Sequence, residues 1–145
     1  TTAKGNIQHV KAALTFLYLQ KGTPCIYYGT ELELKGGPDP DCRRVMPWDR
    51  VSEENDMLNF MKQLIQVRKE VASIIQHGAY RLEELKPDVL SLKWNYQGKE
   101  VQAIFNQSSE KYILDRDSVD LASHCQFEDG QQVILPDGFV VYMID

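Results

Sequence analysis

The chain reads as an α+β fold: a helical N-terminal part, residues 1–78, followed by an all-β antiparallel sandwich domain, residues 79–145. Three observations predict it. Apolar residues recur at helical spacing on both sides of one short apolar run, Cys25-Ile26-Tyr27-Tyr28. From Ala79 onward the apolar period falls from about 3.6 to about 2 residues, the change from a helix face to a strand face. Turn-forming pairs, Gln97-Gly98, Asp129-Gly130 and Asp137-Gly138, then punctuate the second half, as closely spaced antiparallel strands require.

The elements follow in order. Asn6 to Lys21 reads as a helix, with Ile7, Val10, Leu14, Leu17 and Tyr18 on one stripe. Asn6 supplies an N-cap and Gly22 a stop. Gly22 and Pro24 then open a short strand over Cys25–Tyr28. An apolar run bounded by glycines between two helices is the pattern of a buried parallel strand, which makes Cys25 a buried strand residue. A polar loop of about twenty residues follows, long enough to carry function in a compact domain. Trp48 is expected to pack the return of this loop, either onto the next helix or as a plain core anchor. The second helix runs from about Asn55 to Gln76, with Met57, Met61, Leu64, Ile65, Val71, Ala72 and Ile75 inward. Glu53, Glu54 and Asp56 favour its positive N-terminal end, and Gly78 closes it. Strands are expected over Tyr80–Lys86, Leu90–Tyr96, Val101–Phe105, Lys111–Asp115, Gln131–Leu135 and Phe139–Ile144, with Asp137-Gly138 as a hairpin turn.

Composition excludes several classes. The 145 residues are 43% hydrophobic and 26% charged, an ordinary globular balance that argues against disorder. A net charge of −5 without a Lys/Arg run gives no nucleic-acid footprint. No apolar run approaches the roughly 18 residues that a membrane span needs. Cys25, Cys42 and Cys125 form neither Cys-x-x-Cys nor a zinc spacing, so reduced thiols in a cytoplasmic protein are expected. The N-terminus does not read as a signal peptide. Asp39 and Asp41 alone are too few oxygen ligands for calcium, and no cofactor is expected.

The loop from Thr30 to about Ser52 gathers Glu31, Glu33, Asp39, Asp41, Arg43, Arg44 and Trp48. Carboxylates and guanidinium groups make charge-assisted hydrogen bonds to hydroxyls, and an aromatic ring offers an amphipathic surface. That set suits a polyhydroxylated ligand. Asp39 and Arg43, four residues apart, also suit an ion pair that merely closes the loop.

Gly22-x-Pro24-x-Ile26-Tyr27-Tyr28-Gly29-x-Glu31, followed by Gly36-Gly37-x-Asp39-Pro40-x-Cys42-Arg43, resembles the α-amylase family of glycoside hydrolases. More narrowly it is similar to the neopullulanase, cyclomaltodextrinase and maltogenic amylase group. The resemblance implies that residues 1–78 are the last βα portion of a (β/α)8 barrel, two helices and one strand. It implies that Tyr27-Tyr28-Gly29 ends the eighth barrel strand and that Asp39 and Arg43 contact sugar at the donor side of the cleft. It further implies a retaining hydrolase of cyclodextrins, pullulan or malto-oligosaccharides. Glu33 stands where the family usually has Gly, and Val45 where Pro is common.

Retaining glycosidases need two carboxyl groups about 5–5.5 Å apart. The family places them, and a third Asp in an Asn-His-Asp-like motif, on barrel strands earlier than this stretch. No catalytic residue is therefore named in this chain, which alone is expected to be inactive. The partners expected of the intact enzyme are α-glucan oligosaccharides or cyclodextrins, with neither nucleic acid nor membrane. Deprived of its barrel, the helical part is expected either to pack on the sandwich, in a way the intact enzyme does not use, or to self-associate through its exposed surface. The alternative from another class is a non-catalytic carbohydrate-binding or interaction β-sandwich, with Trp94 or Tyr96 as its platform. A buried Trp94 beside an exposed Asp39/Arg43 loop would remove that platform.

Overall fold

The computed structural model describes residues 5–144. Helix α1 spans Ile7–Tyr18, capped by the Asn6 side chain, which accepts from the backbone N–H of Gln8. Helix α2 spans Asp56–Glu70, with Asn55 as its N-cap, and a short α3 covers Ala72–His77. The expected single helix from Asn55 to Gln76 is thus broken at Val71. Six strands follow: β1 Ala79–Lys86, β2 Val89–Tyr96, β3 Lys99–Asn106, β4 Tyr112–Leu114, β5 Leu121–Glu128 and β6 Gln131–Ile144.

The strands form one antiparallel sheet in the order β1-β2-β3-β6-β4, with β5 on the other edge of β6. This corrects the expected sandwich of separate sheets. Strand β6 is the reason. It is long enough to pair with β3 through Phe139–Ile144 and with β4 through Gln132–Ile134, on successive lengths of one edge. Strand β5 lines its opposite edge throughout, apart from a register shift between Ser123 and Cys125. The sheet therefore curls around one continuous strand. The expected Asp137-Gly138 hairpin turn is a bend inside β6 instead, with Asp137 at φ 64°. Gly138 permits it, because a Cβ there would lie 2.4 Å from the His124 carbonyl oxygen. The expected strand list also omitted β5, whose period is interrupted by His124 at φ 54°.

Curling gives the sheet two apolar faces. One packs against the helices: Leu92, Trp94, Val101, Ala103, Phe105, Phe139 and Val141 meet Leu19, Met57, Phe60, Met61, Leu64, Val71 and Ile75. The other encloses Val89, Ile104, Ile134, Val140 and Tyr142. Each large apolar side chain so buried contributes roughly 1.5–3 kcal/mol. The first core crosses Gly78 without interruption. Gly78 itself lets α3 run into β1, since a Cβ would meet Ile74 O at 2.3 Å and Asn95 O at 2.8 Å.

Polar bonds fix α1 at both ends. The Trp94 indole N–H donates to Leu19 O at 2.7 Å in the buried interior. At the other end Asp137 accepts from the Asn6 amide at 3.1 Å and meets His9 Nε2 at 2.8 Å, and Ser123 Oγ donates to Gln8 at 2.6 Å. Lys11, nearly buried, bonds Asp56 at 2.6 Å and joins α1 to α2. Of the expected stripe, Tyr18 is buried and Ile7, Val10 and Leu14 pack against the core, while Leu17 is 53% exposed; Lys11, Ala12 and Thr15 are buried beside them. Among the described residues, no helix is long and apolar enough to cross a membrane.

Candidate sugar-contact loop

The candidate site begins where the expected strand does not form. Cys25–Tyr28 forms no strand and ends in a turn at Tyr28, and Cys25, Ile26, Tyr27 and Tyr28 are all exposed. A barrel strand needs parallel neighbours on both sides. None is supplied by the described residues, so the backbone keeps its reach without its ladder. Cys25 is accordingly not a buried residue.

Gly29, in the left-handed region at φ 84°, turns the chain into a one-turn helix, Thr30–Leu32. Leu32 is buried against α2 and anchors the loop. Trp48, expected to pack there, is 71% exposed. Its short helix, Trp48–Arg50, is tied down through Arg50, whose guanidinium donates to Leu32 O at 3.4 Å, so the indole points outward. Glu33 closes the Thr30–Leu32 turn at φ 56°, a conformation that suits the Gly expected there on family grounds.

Beyond it the loop is organised by two ion pairs. Arg43 holds Asp39 side-on: Nε lies 2.9 Å from Oδ1 and Nη2 donates to Oδ2 at 3.1 Å. Arg44 holds Asp41 in the same way, at 2.8 and 2.7 Å. The Arg44 guanidinium pulls the Asp41 carboxyl below the usual carboxylate range. The Tyr28 hydroxyl donates to Arg44 O at 2.9 Å, and the Tyr27 and Tyr28 rings sit 4.8 Å apart. The peptide bond between Asp39 and Pro40 is cis, and at Gly36 a Cβ would lie 2.9 Å from the Cys42 Cα.

Asp39 and Arg43 are thus brought together, and both are well exposed, with side chains 61% and 68% accessible. The loop-closing ion pair anticipated from spacing is present, and its outer edge stays free for a ligand. The Asp41–Arg44 pair and the Tyr28 tether were not anticipated. The signal for the ion pair was the same three-to-four-residue spacing of opposite charges; the Tyr28 tether, sixteen residues long and to a backbone carbonyl, had none. Neither Glu31 nor Glu33 joins these pairs; one Glu31 carboxylate oxygen is buried without a partner among the described residues. Among the described residues, no group of three or more His, Cys, Asp or Glu gathers to hold a metal ion. Elsewhere, burial pushes the Cys125 thiol up to about 11.

The platform of the alternative module is absent. Trp94 is buried, with 3% of its surface accessible, and Tyr96 lies half-buried against the His77 ring at 5.5 Å.

No family model matches the chain. Individual proteins do. It is 37% identical over 111 residues to the intracellular maltogenic amylase of Bacillus subtilis (strain 168), covering 75% of this chain and 19% of that one. It is 34% identical over 114 residues to the cyclomaltodextrinase of Thermoanaerobacter pseudethanolicus, covering 79% and 20%. Among solved structures, the maltogenic amylase from S. marinus matches with a TM-score of 0.71 and 30% identity over 92% of this chain and 19% of that one. The chain spans about a fifth of the length of the curated relatives it matches.

Proposed function

We propose, from the chain's membership of the α-amylase family alongside maltogenic amylases, cyclomaltodextrinases and neopullulanases, that it is the C-terminal part of a retaining α-glucan hydrolase. Residues 1–78 are the last βα portion of a catalytic barrel, and residues 79–145 its C-terminal β domain. The substrates are cyclodextrins, pullulan or malto-oligosaccharides, and the enzyme works in the cytoplasm. The observation that carries the reading is the Asp39–Arg43 pair. It stands exposed on a loop that follows the one-turn helix Thr30–Leu32, within a sequence similar to those enzymes. A guanidinium already squared against a carboxylate presents its remaining N–H groups, and the carboxylate its remaining lone pairs, in fixed directions. Sugar hydroxyls that both donate and accept can meet the two together.

The chemistry is assigned to carboxylates outside this chain. One acid protonates the leaving oxygen, a second attacks the anomeric carbon, and water then releases the glycosyl group with retention. Asp39 and Arg43 bind and orient sugar beside that site and take no part in bond making. The chain alone is inactive, and its uncovered Ile26, Tyr27 and Tyr28 draw it to a second copy. Proton NMR of the first sugar released from β-cyclodextrin by the full-length enzyme tests the reading. The α-anomer is expected; a β-anomer, or no release from β-cyclodextrin, pullulan and maltotriose alike, overturns it.

A further inference from the structure

A pocket of about 530 Å³ lies between the segment 21–24 and the C-terminal half of α2, away from the Asp39–Arg43 pair. Lys21, Arg68 and Lys69 line it with Pro24 and Gln76, and none of its described lining residues is acidic. Arg68 makes one hydrogen bond there, Nη2 donating to Gly22 O at 2.9 Å. Its Nε and Nη1 are buried and meet no acceptor among the described residues. Burial alone makes the charged guanidinium less favourable than in water. Lys21 leans away from it, with Nζ 5.4 Å from the centre of the Trp94 ring. A half-buried guanidinium with two enclosed donors unmet is incomplete without an anion.

We propose that this pocket is a docking socket for an acidic side chain from the polypeptide that precedes this chain in the parent enzyme, with Arg68 receiving the carboxylate. The inference rests on reading the chain as the C-terminal part of a longer enzyme. Charge selects the occupant first, since Lys21, Arg68 and Lys69 are among the described lining residues and no acid is. Extent selects it next, because the matched relatives are about four times as long as this chain and supply the polypeptide. Continuity completes the case. The pocket ends at Pro24, where the chain passes into Cys25–Tyr28, whose apolar side chains are exposed and whose backbone has no sheet partner. Polypeptide that covers this run also reaches Arg68. The volume lies in the range of pockets that bury large ligands, more than a lone phosphate ion fills. A carboxylate entering along a guanidinium edge accepts two parallel N–H bonds, and Arg68 turns its unmet donors to meet it.

Carbodiimide coupling of the full-length enzyme tests the socket, because this reagent joins an amine to a carboxylate beside it. The expected product links a Lys21 or Lys69 peptide to an Asp or Glu upstream of Thr1, with a yield several-fold lower in Arg68→Gln. Links confined to residues 1–145, or no link, overturn the proposal. A second measurement compares Tm values of Arg68→Gln, of the coupled acid changed to its amide, and of the double variant. Each single change is expected to lower Tm by several degrees and the double change by no more than either, since both remove one interaction. Additive losses overturn it. Inorganic phosphate titrated into the full-length enzyme is expected to give no saturable heat; saturable binding that Arg68→Gln removes makes the pocket a free-anion site and overturns the docking assignment. None of these readouts depends on turnover, so an inactive parent would sink the proposed function and leave the socket standing.

Discussion

Arg43 and Asp39 are exposed, and an exposed ion pair contributes about 0–1 kcal/mol to stability. Their value must therefore show in binding. Arg43→Ala or Asp39→Ala in the full-length enzyme is expected to raise KM for maltotriose about tenfold, roughly 1.4 kcal/mol, with Tm unchanged. A fall in Tm with KM intact would return the pair to a loop clamp. Glu33 offers a residue-scale test of the loop's path. A non-glycine residue in the left-handed region costs roughly 1–2 kcal/mol, so Glu33→Gly is expected to raise stability by about 1 kcal/mol in a denaturant melt. A destabilised Glu33→Gly would mean that its side chain, not its backbone, matters there. The charges of this loop were legible in the sequence because spacing alone puts opposite charges within reach. The outward Trp48 was not, because an aromatic residue after a proline reads equally well as an anchor. Only the Arg50 bond to Leu32 O decides which of the two residues turns in.

At the scale of elements, the helices were legible through caps and stripes, and β1 to β3 through alternation. What escaped was governed by partners distant in sequence. Cys25–Tyr28 has strand composition and no strand, because a parallel ladder needs neighbours that the described residues do not provide. Strand β6 was divided in two because Pro136 and Asp137-Gly138 carry turn chemistry, whereas β5 pairs with both halves and holds them in line. Strand β5 was missed at its His124 bulge. Gly138→Ala tests this account of the bend. A Cβ 2.4 Å from the His124 carbonyl must push the two strands apart, and a loss of about 2 kcal/mol is expected in urea unfolding. A neutral substitution would mean that the bend does not depend on close approach.

At the scale of the molecule, the boundary near Gly78 separates two sequence patterns but not two cores. Leu92, Trp94, Phe105 and Phe139 are covered by α1 to α3, and the Trp94 bond to Leu19 O ties the two parts together. A chain trimmed to residues 79–145 is therefore expected to bind an apolar dye strongly and to aggregate; a well-folded monomer would show that the sheet needs no helical cover. The period change at Ala79 reported where the pattern turns, and the continuity of burial across it could come only from three-dimensional packing. The 145 residues are proposed to carry sugar-contacting and structural parts of an α-glucan hydrolase, with the bond-breaking carboxylates elsewhere. Hydrolysis of β-cyclodextrin by this chain, beside the full-length enzyme, tests this proposal most directly. Turnover by the full-length enzyme and none by the chain is the predicted result. Turnover by the chain itself would place a working carboxylate pair within these residues and contradict the account.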